Sequence, residues 1–376
     1  MRAVFNAEHE LFRDQVRRFV EEEIVPHHPQ WERDGIVPRD LWRKAGACGL
    51  LCPMLPAQYG GAGADFGFSA IIVEELARVN ASAVGFTLHS DVAAPYILAY
   101  GNEESKARWL PRMVRGERIG ALALTEPGTG SDLKALRTLA RRDGDHYVLN
   151  GSKTFITNGQ NSGIVIVAAK TDPAAGRKGI SLVLVEEGTP GFSKGRNLQK
   201  IGLHGQDTSE LFFEDVRVPL TNRLGEENAG FSYLMHELAQ ERLVIGIRAA
   251  ASIEAMLQRT IDYTRDRKAF GQALIDFQNS RFKLAGAKAE ATMLRSFVDE
   301  CLAMHMARKL TPERAAMVKL VAAEMQGRLL DEFLQLHGGY GYMSEYVIGQ
   351  AWVDARVMRI YGGSSEIMKE IIARTL

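Results

Sequence analysis

Three stretches carry residues whose types and spacing could do chemistry. The chain closes in RIYGGSSEI, residues 359–367, where Gly362 and Gly363 precede Ser364, Ser365 and Glu366 at the start of a helical pattern. Free backbone N–H groups at such a junction make an anion seat. LALTEPGTGSD, residues 122–132, ends a β-rich run in a Pro-Gly turn, with the hydroxyls of Thr125 and Ser131 beside free backbone N–H groups. Those residues alone also fit an ordinary Asp/Ser-rich loop. LAQERLVIG, residues 238–246, turns sharply from polar to apolar and puts Glu241 and Arg242 at the edge of a buried helix. A carboxylate there could take a proton, with Arg242 offsetting the cost of its burial. A surface Arg–Glu pair fits the same two residues.

Other chemistries are excluded. Neither YGGAGADFG nor EPGTGSDLK gives Gly-x-Gly-x-x-Gly between a strand and a helix, so no nicotinamide-binding fingerprint is present. There is no Gly-Lys-Ser/Thr phosphate loop and no Gly-x-Ser-x-Gly nucleophile elbow. Nine histidines show no metal spacing, and no metal site is expected. Cys48, Cys52 and Cys301 make no disulfide framework, and the first two, in AGACGLLCPM, read as core. Lys plus Arg equals Asp plus Glu, 46 against 46, which speaks against nucleic acid or an anionic membrane as partner. No apolar run approaches ~20 residues, so no membrane insertion is expected. The first residues, MRAVFNAEHELFRDQVRRF, lack the apolar segment of a signal peptide and carry acids foreign to a transit peptide, which points to the cytoplasm.

The elements that must position these residues fall in three zones. Residues 1–118 read as helices, with Phe5, Leu11, Phe12, Val16, Phe19 and Val20 near one stripe. Residues 119–222 read as a small antiparallel β-domain of six or more short strands, with hairpin turns at Asp143-Gly144 and Asn150-Gly151. Residues 223–376 return to helical spacing. One helix carries Leu243, Ile247 and Ala250; a second carries Phe282, Ala285, Ala289, Met293, Phe297, Cys301 and Met304. A third starts with Thr311 as N-cap and Pro312 at the first helical position, and stops at Gly338. Long helices with short links indicate an antiparallel four-helix bundle. The fold class is α+β, ordered helical domain, β-domain, helical bundle.

TEPGTGSD closely resembles a signature of the acyl-CoA dehydrogenases. So do NGSKTFITNG (150–159), DRKAFGQALIDFQ (266–278), QLHGGYGYMSEY (335–346) and RIYGGSSEI, in that family's order and spacing over the whole chain. The similarity is greatest to the long-chain subgroup. It implies an FAD enzyme of fatty acid β-oxidation that desaturates a fatty acyl-CoA to the trans-2-enoyl-CoA, with hydride transfer to flavin N5. Electrons then pass to an electron-transfer flavoprotein. By matching position, Leu122, Thr125 and Ser131 line the flavin, Ser131 also contacting the CoA portion. Phe155, Ile156 and Thr157 cover its ring. Arg267, Gln278, Gln335, Gly338 and Gly339 reach a neighbouring subunit's FAD, which implies a homotetramer built as a dimer of dimers. Ser364, Ser365 and Glu366 contact FAD, and Gly363 lies against substrate.

Most of the family place the catalytic Glu directly after the Tyr of Ile-Tyr-x-Gly; here that position is Gly362. A minority, including the long-chain and isovaleryl subgroups, supply the base from the bundle helix, and the matching residue is Glu241. Gly362 then leaves room and avoids a second carboxylate at one carbon, which would drive one of the two neutral. Its N–H is expected to polarise the thioester carbonyl, Arg242 to steady Glu241, and a Glu returned to position 362 to recover some rate when Glu241 is removed. A flavin monooxygenase or an oxidase on the same fold is the alternative. The segment 83–101 is expected to floor the acyl pocket, with Ala93, Ala94 and Ala99 making room for a long or branched chain.

Overall fold

The computed structural model describes residues 2–376. Six helices come first: α1 (Ala7–Phe19), α2 (His28–Asp34), α3 (Arg39–Ala47), α4 (Phe66–Arg78), α5 (Ala94–Tyr100) and α6 (Glu103–Val114). Asn6 starts α1 by a reciprocal cap, its side chain accepting from the His9 N–H while the His9 ring accepts from the Asn6 N–H. The apolar stripe buries Phe5, Val16, Phe19 and Val20, but Leu11 is 72 % exposed. Leu11 sits a full 100° round the helix from Phe12, off the buried face. Cys52 is buried as expected, whereas Cys48 is exposed at the end of α3. α5 continues without a break from a π-helical turn, Leu88–Ala93, a distortion common beside functional sites.

Strands β1 (Ile119–Ala123), β2 (Leu139–Asp143), β3 (His146–Thr157), β4 (Ser162–Lys170), β5 (Ile180–Glu186), β6 (Phe192–Asn197), β7 (Thr208–Pro219) and β8 (Arg223–Leu224) form one sheet. Most neighbours are antiparallel, but β1 runs parallel to β4, from Gly120 opposite Ile164 to Ala123 opposite Val167. The purely antiparallel expectation fails there because β1 reaches β4 by way of the β2–β3 hairpin and not by a tight turn. β4 is buried along its whole length, and its apolar run reflects that. β6, too polar to signal a strand, is an edge against β7. Asp143-Gly144 closes the β2–β3 hairpin. Asn150-Gly151 is not a turn; it lies inside β3, where the register with β7 shifts. A Cβ at Gly151 would run into Thr138, and the Asn150 side chain exchanges two hydrogen bonds with Asp215 of β7.

The C-terminal part holds α7 (Gly230–Asp266), α8 (Gln278–Met306), α9 (Pro312–His337), α10 (Val347–Ala355) and α11 (Ser365–Ala373). Three long helices pack along one another, and the short α10 and α11 both lie on α9 in place of a fourth long one. The Thr311 hydroxyl accepts from the Arg314 N–H to start α9, and Gly338, at φ 58°, ends it. The stripe expected on α8 holds only at its C-terminal end, where Cys301 is buried and Phe297 packs against the core. Leu284, Ala287, Ala291, Leu294 and Val298 face the core, while Phe282 and Met293 are 66 % and 63 % exposed. This helix is apolar on two faces, and periodicity alone does not tell which is covered within one chain.

The helical domains are joined by buried charge. Glu74 of α4 accepts from Arg13 of α1 at 2.9 Å and from Arg295 of α8 at 2.8 Å. Arg295 also donates to Glu254 of α7. Breaking a buried pair leaves the other charge without compensation. Glu74→Leu is therefore expected to destabilise the fold by about 3–5 kcal/mol, read as a lower denaturation midpoint with unchanged slope.

Candidate active site

Glu241 lies on α7 just before a buried apolar run that includes Leu243, Val244 and Ile245. Its carboxylate accepts from the Tyr96 hydroxyl of α5 at 3.1 Å. Burial pushes the carboxyl up to about 7, against the opposing pull of the Tyr96 hydrogen bond and the Arg242 charge, and Glu237 one turn away adds to the rise. A carboxyl held near neutral pH in a cleft is what a general base requires. Arg242 is buried but makes no hydrogen bond to Glu241; its Nε donates to the Gly362 carbonyl at 3.4 Å. It acts on Glu241 through its field alone, which corrects the expectation that it grips the carboxylate.

The turn opposite is held by two cations. While Arg242 binds the Gly362 carbonyl, Lys319 of α9 donates to the Gly363 carbonyl at 2.6 Å. Burial, reinforced by the Arg242 charge, pulls the Lys319 ammonium down to about 8. Gly362 and Gly363 sit at φ 64° and 94°, conformations that side chains resist. A Cβ at Gly362 would lie 2.6 Å from Ile245 Cδ1, one turn beyond Glu241. The turn is bare and packed against the helix that carries the acid. Neither the Gly362 nor the Gly363 N–H has a protein acceptor among the described residues. Ser364 caps α11 by accepting from Ile367 N–H, and Glu366 is exposed. The buried Ser365 hydroxyl donates to Glu324 of α9, so that serine anchors the helix and does not face the cleft.

A second wall comes from the sheet. Glu126 is buried and accepts from the backbone N–H groups of Arg137 and Thr138, the Thr138 hydroxyl and the Lys153 ammonium at 2.9 Å. Burial alone would raise this carboxyl, but Lys153 and Thr138 hold it below its usual range. Lys153 is itself fully buried and pulled down to about 8. This pair pins the 125–131 loop. Leu122 and Thr125 are then half-buried and Ser131 exposed. Phe155 stands out from β3 at φ 59°, 67 % exposed, where the ladder with β7 is interrupted. Thr157 is half-buried, but the Ile156 side chain is buried among the strands, leaving only its backbone to face the cleft.

The chain matches three family descriptions in succession: acyl-CoA dehydrogenase N-terminal domain over residues 6–117, middle domain over 121–216 and C-terminal domain over 228–376. It belongs to the acyl-CoA dehydrogenase family. It is 51 % identical over 378 residues to the long-chain specific acyl-CoA dehydrogenase, mitochondrial, of Sus scrofa, covering 100 % of this chain and 88 % of that protein. The crystal structure of acyl-CoA dehydrogenase from Geobacillus kaustophilus superposes with a TM-score of 0.98 at 49 % identity, covering 100 % of this chain and 99 % of that one. A glutaryl-CoA dehydrogenase from Mycobacterium smegmatis, solved in complex with FADH2, superposes with a TM-score of 0.91 at 30 % identity, covering 99 % and 95 %.

FAD is the cofactor of acyl-CoA dehydrogenases, and the residues present fit it. The displayed Phe155 ring offers a flat apolar surface, and the free N–H groups at Gly362 and Gly363 offer donors. Arg267, Gln278, Gln335, Gly338 and Gly339 are all exposed and none lies in this cleft's walls; Arg267 stacks over Tyr340, 5.5 Å from the ring centre. In the acyl pocket segment, Ala93 and Ala94 are buried in the core and open no space. Ala99, with Pro95, Leu98, Glu237 and Gln240, lines a cavity of about 460 Å³ one turn before Glu241.

Sequence reasoning missed Tyr96, Lys153 and Lys319. A lone Tyr in APYILAYG and a Lys inside a helix or a strand carry no signal until their partners are known. Tyr96 is testable through pH. Its hydrogen bond favours the charged form of Glu241. Tyr96→Phe is therefore expected to move the acid limb of kcat/KM to higher pH and to slow the reaction roughly tenfold at neutral pH. An unmoved acid limb would refute the contact.

Proposed function

We propose that the chain catalyses α,β-dehydrogenation of a long-chain or branched fatty acyl-CoA to the trans-2-enoyl-CoA, a step of fatty acid β-oxidation, with Glu241 as the base. The observation that carries this is the single carboxyl tuned towards neutrality on α7, packed beside a turn that has none. The Glu241 carboxylate takes the proton from the carbon next to the thioester. A free N–H of the Gly362–Gly363 turn donates to the thioester carbonyl, where negative charge develops as the proton leaves. Arg242 and Lys319 hold that turn in place by its two carbonyls. Ser131, exposed at the rim of the sheet wall, serves the CoA portion. Bound FAD supplies the acceptor for the hydride that leaves the β-carbon.

An electron-transfer flavoprotein is the electron acceptor in this reading. A homotetramer, arranged as a dimer of dimers, accounts for two otherwise uncovered surfaces. One is the Phe282–Met293 face of α8; the other is the exposed group of Arg267, Gln335, Gly338 and Gly339 with Tyr340. The latter then closes over a neighbouring subunit's cofactor, and Arg267 supplies a planar fork for a pyrophosphate.

Glu241→Gln is expected to retain yellow FAD and to lose at least a thousandfold in the rate of anaerobic bleaching by acyl-CoA. Normal turnover by that variant would remove Glu241 from the mechanism. Adding Gly362→Glu to it is expected not to recover rate, because the Cβ collides with Ile245 and the backbone stands at positive φ. Recovery would show that the turn can be rebuilt around a side chain.

A further inference from the structure

Beyond Glu241 the same face of α7 leads to a charge that makes no ion pair among the described residues. Arg248 follows Glu241 by seven residues, which places it about 10 Å along the helix axis and only about 20° round. Ile245 stands between them and touches the bare Gly362. Arg248 is half-buried and, among the described residues, has no hydrogen-bond or ion-pair partner. It lines a small cavity of about 30 Å³ together with Ser82, Val84, Thr87, Ser252 and Gln326. Two of those side chains are also unsatisfied. Gln326 Oε1 and Ser82 Oγ are buried without a partner, each residue being 2 % exposed. A cavity lined by a cationic donor and an amide acceptor, both unpaired, is complementary to a group that accepts from one and donates to the other.

A chain that starts at Glu241 has two directions along α7. Towards the helix N-terminus it meets the Glu237 carboxylate, held by the Tyr100 hydroxyl at 2.8 Å, one turn away. Methylenes packed there would desolvate a charge. Towards the C-terminus lie Ile245 and then the cavity, where Val84 and other apolar side chains stand beside Arg248 and Gln326. The apolar middle and polar end match a chain with methylenes near the thioester and a polar group at its far end. A carboxylate end would suit Arg248 but would oppose the Gln326 oxygen and the Asp354 carboxylate, which also lines the cavity. A hydroxyl suits both partners.

We propose that Arg248 and Gln326 form a subsite for a hydroxyl group at the distal end of the acyl chain, so that the preferred substrates include ω-hydroxyacyl-CoA thioesters. This rests on the dehydrogenation proposed above. The test is anaerobic flavin bleaching of the holoenzyme by acyl-CoAs of increasing length, each given unsubstituted, ω-hydroxylated and ω-carboxylated. At one chain length the hydroxylated member is expected to exceed its unsubstituted partner roughly tenfold or more in kcat/KM. Arg248→Met is expected to abolish that ratio, its folding verified by retained FAD and melting temperature. Ala99→Phe, which fills the other cavity, is expected to keep it. Equal rates for the pair at every length, preference for the carboxylate, or a ratio lost in Ala99→Phe but kept in Arg248→Met would each overturn the subsite. Failure of the dehydrogenation reading looks different: no acyl-CoA of any kind would bleach the flavin.

Discussion

The site depends on one constraint: a single carboxyl must be buried at the reacting carbon and still be able to ionise near neutral pH. Burial of Glu241 supplies the upward shift, and the Tyr96 hydroxyl limits it. A carboxyl without that hydrogen bond would stay protonated and useless as a base; one fully exposed would ionise too readily to take a proton from carbon. The balance is set between two helices, α5 and α7, that come from different helical domains. The packing of the helical domains is therefore part of the chemistry, and the buried Glu74–Arg295 pair that joins them bears on the site without touching it.

The vacated turn follows from the same constraint. With the acid delivered by α7, the turn after Tyr361 must approach that helix closely, and it does so at positive φ with Ile245 against it. Backbone that tight would drift unless held. Arg242 and Lys319 hold it by the carbonyls, while the Gly362 and Gly363 N–H groups have no protein acceptor among the described residues. The Gly362 carbonyl and the Gly363 N–H belong to one peptide and point opposite ways across its planar trans bond, so Arg242, by holding that oxygen, aims the Gly363 N–H. Donors aimed before substrate arrives cost no reorganisation during the reaction.

Much of this was legible in the sequence, and the parts that were not share a cause. The three-zone order, the Thr311 start and Gly338 stop of α9, and Glu241 at a polar-to-apolar switch are all local signals. Local signals failed where two distant segments decide the outcome. Asn150-Gly151 looks like a hairpin turn, but β7 captures both residues into a continuous strand, and Asn150 spends its side chain on Asp215. Phe282 and Met293 look like core because α8 is apolar on two faces, and only the three-dimensional packing selects the other. Ile156 and Ser365 sit inside recognisable motifs, yet each turns its side chain away from the cleft, into the sheet and onto Glu324. A motif assigns a segment to a site; it does not assign every side chain in it.

Glu126 and Glu241 show why charge environment decides function where residue type cannot. Glu126 and Glu241 are both withdrawn from water, and both lie in conspicuous motifs. Glu126 is given an ammonium, a hydroxyl and two backbone N–H groups, so it is held ionised below its ordinary range and serves as a tie for the loop. At Glu241 burial outweighs one hydroxyl and the Arg242 charge, so its carboxyl rises to about 7. Their effects on stability have opposite sign. The unfolded chain keeps a proton on Glu126 that the folded protein has shed, so this group stabilises the fold as pH rises through its unfolded value. At Glu241 the folded protein keeps the proton, and between the ordinary value of 4.5 and about 7 stability falls as pH rises. The acid that destabilises the fold is the one left free to react, and the acid that stabilises it has no capacity left to take a proton.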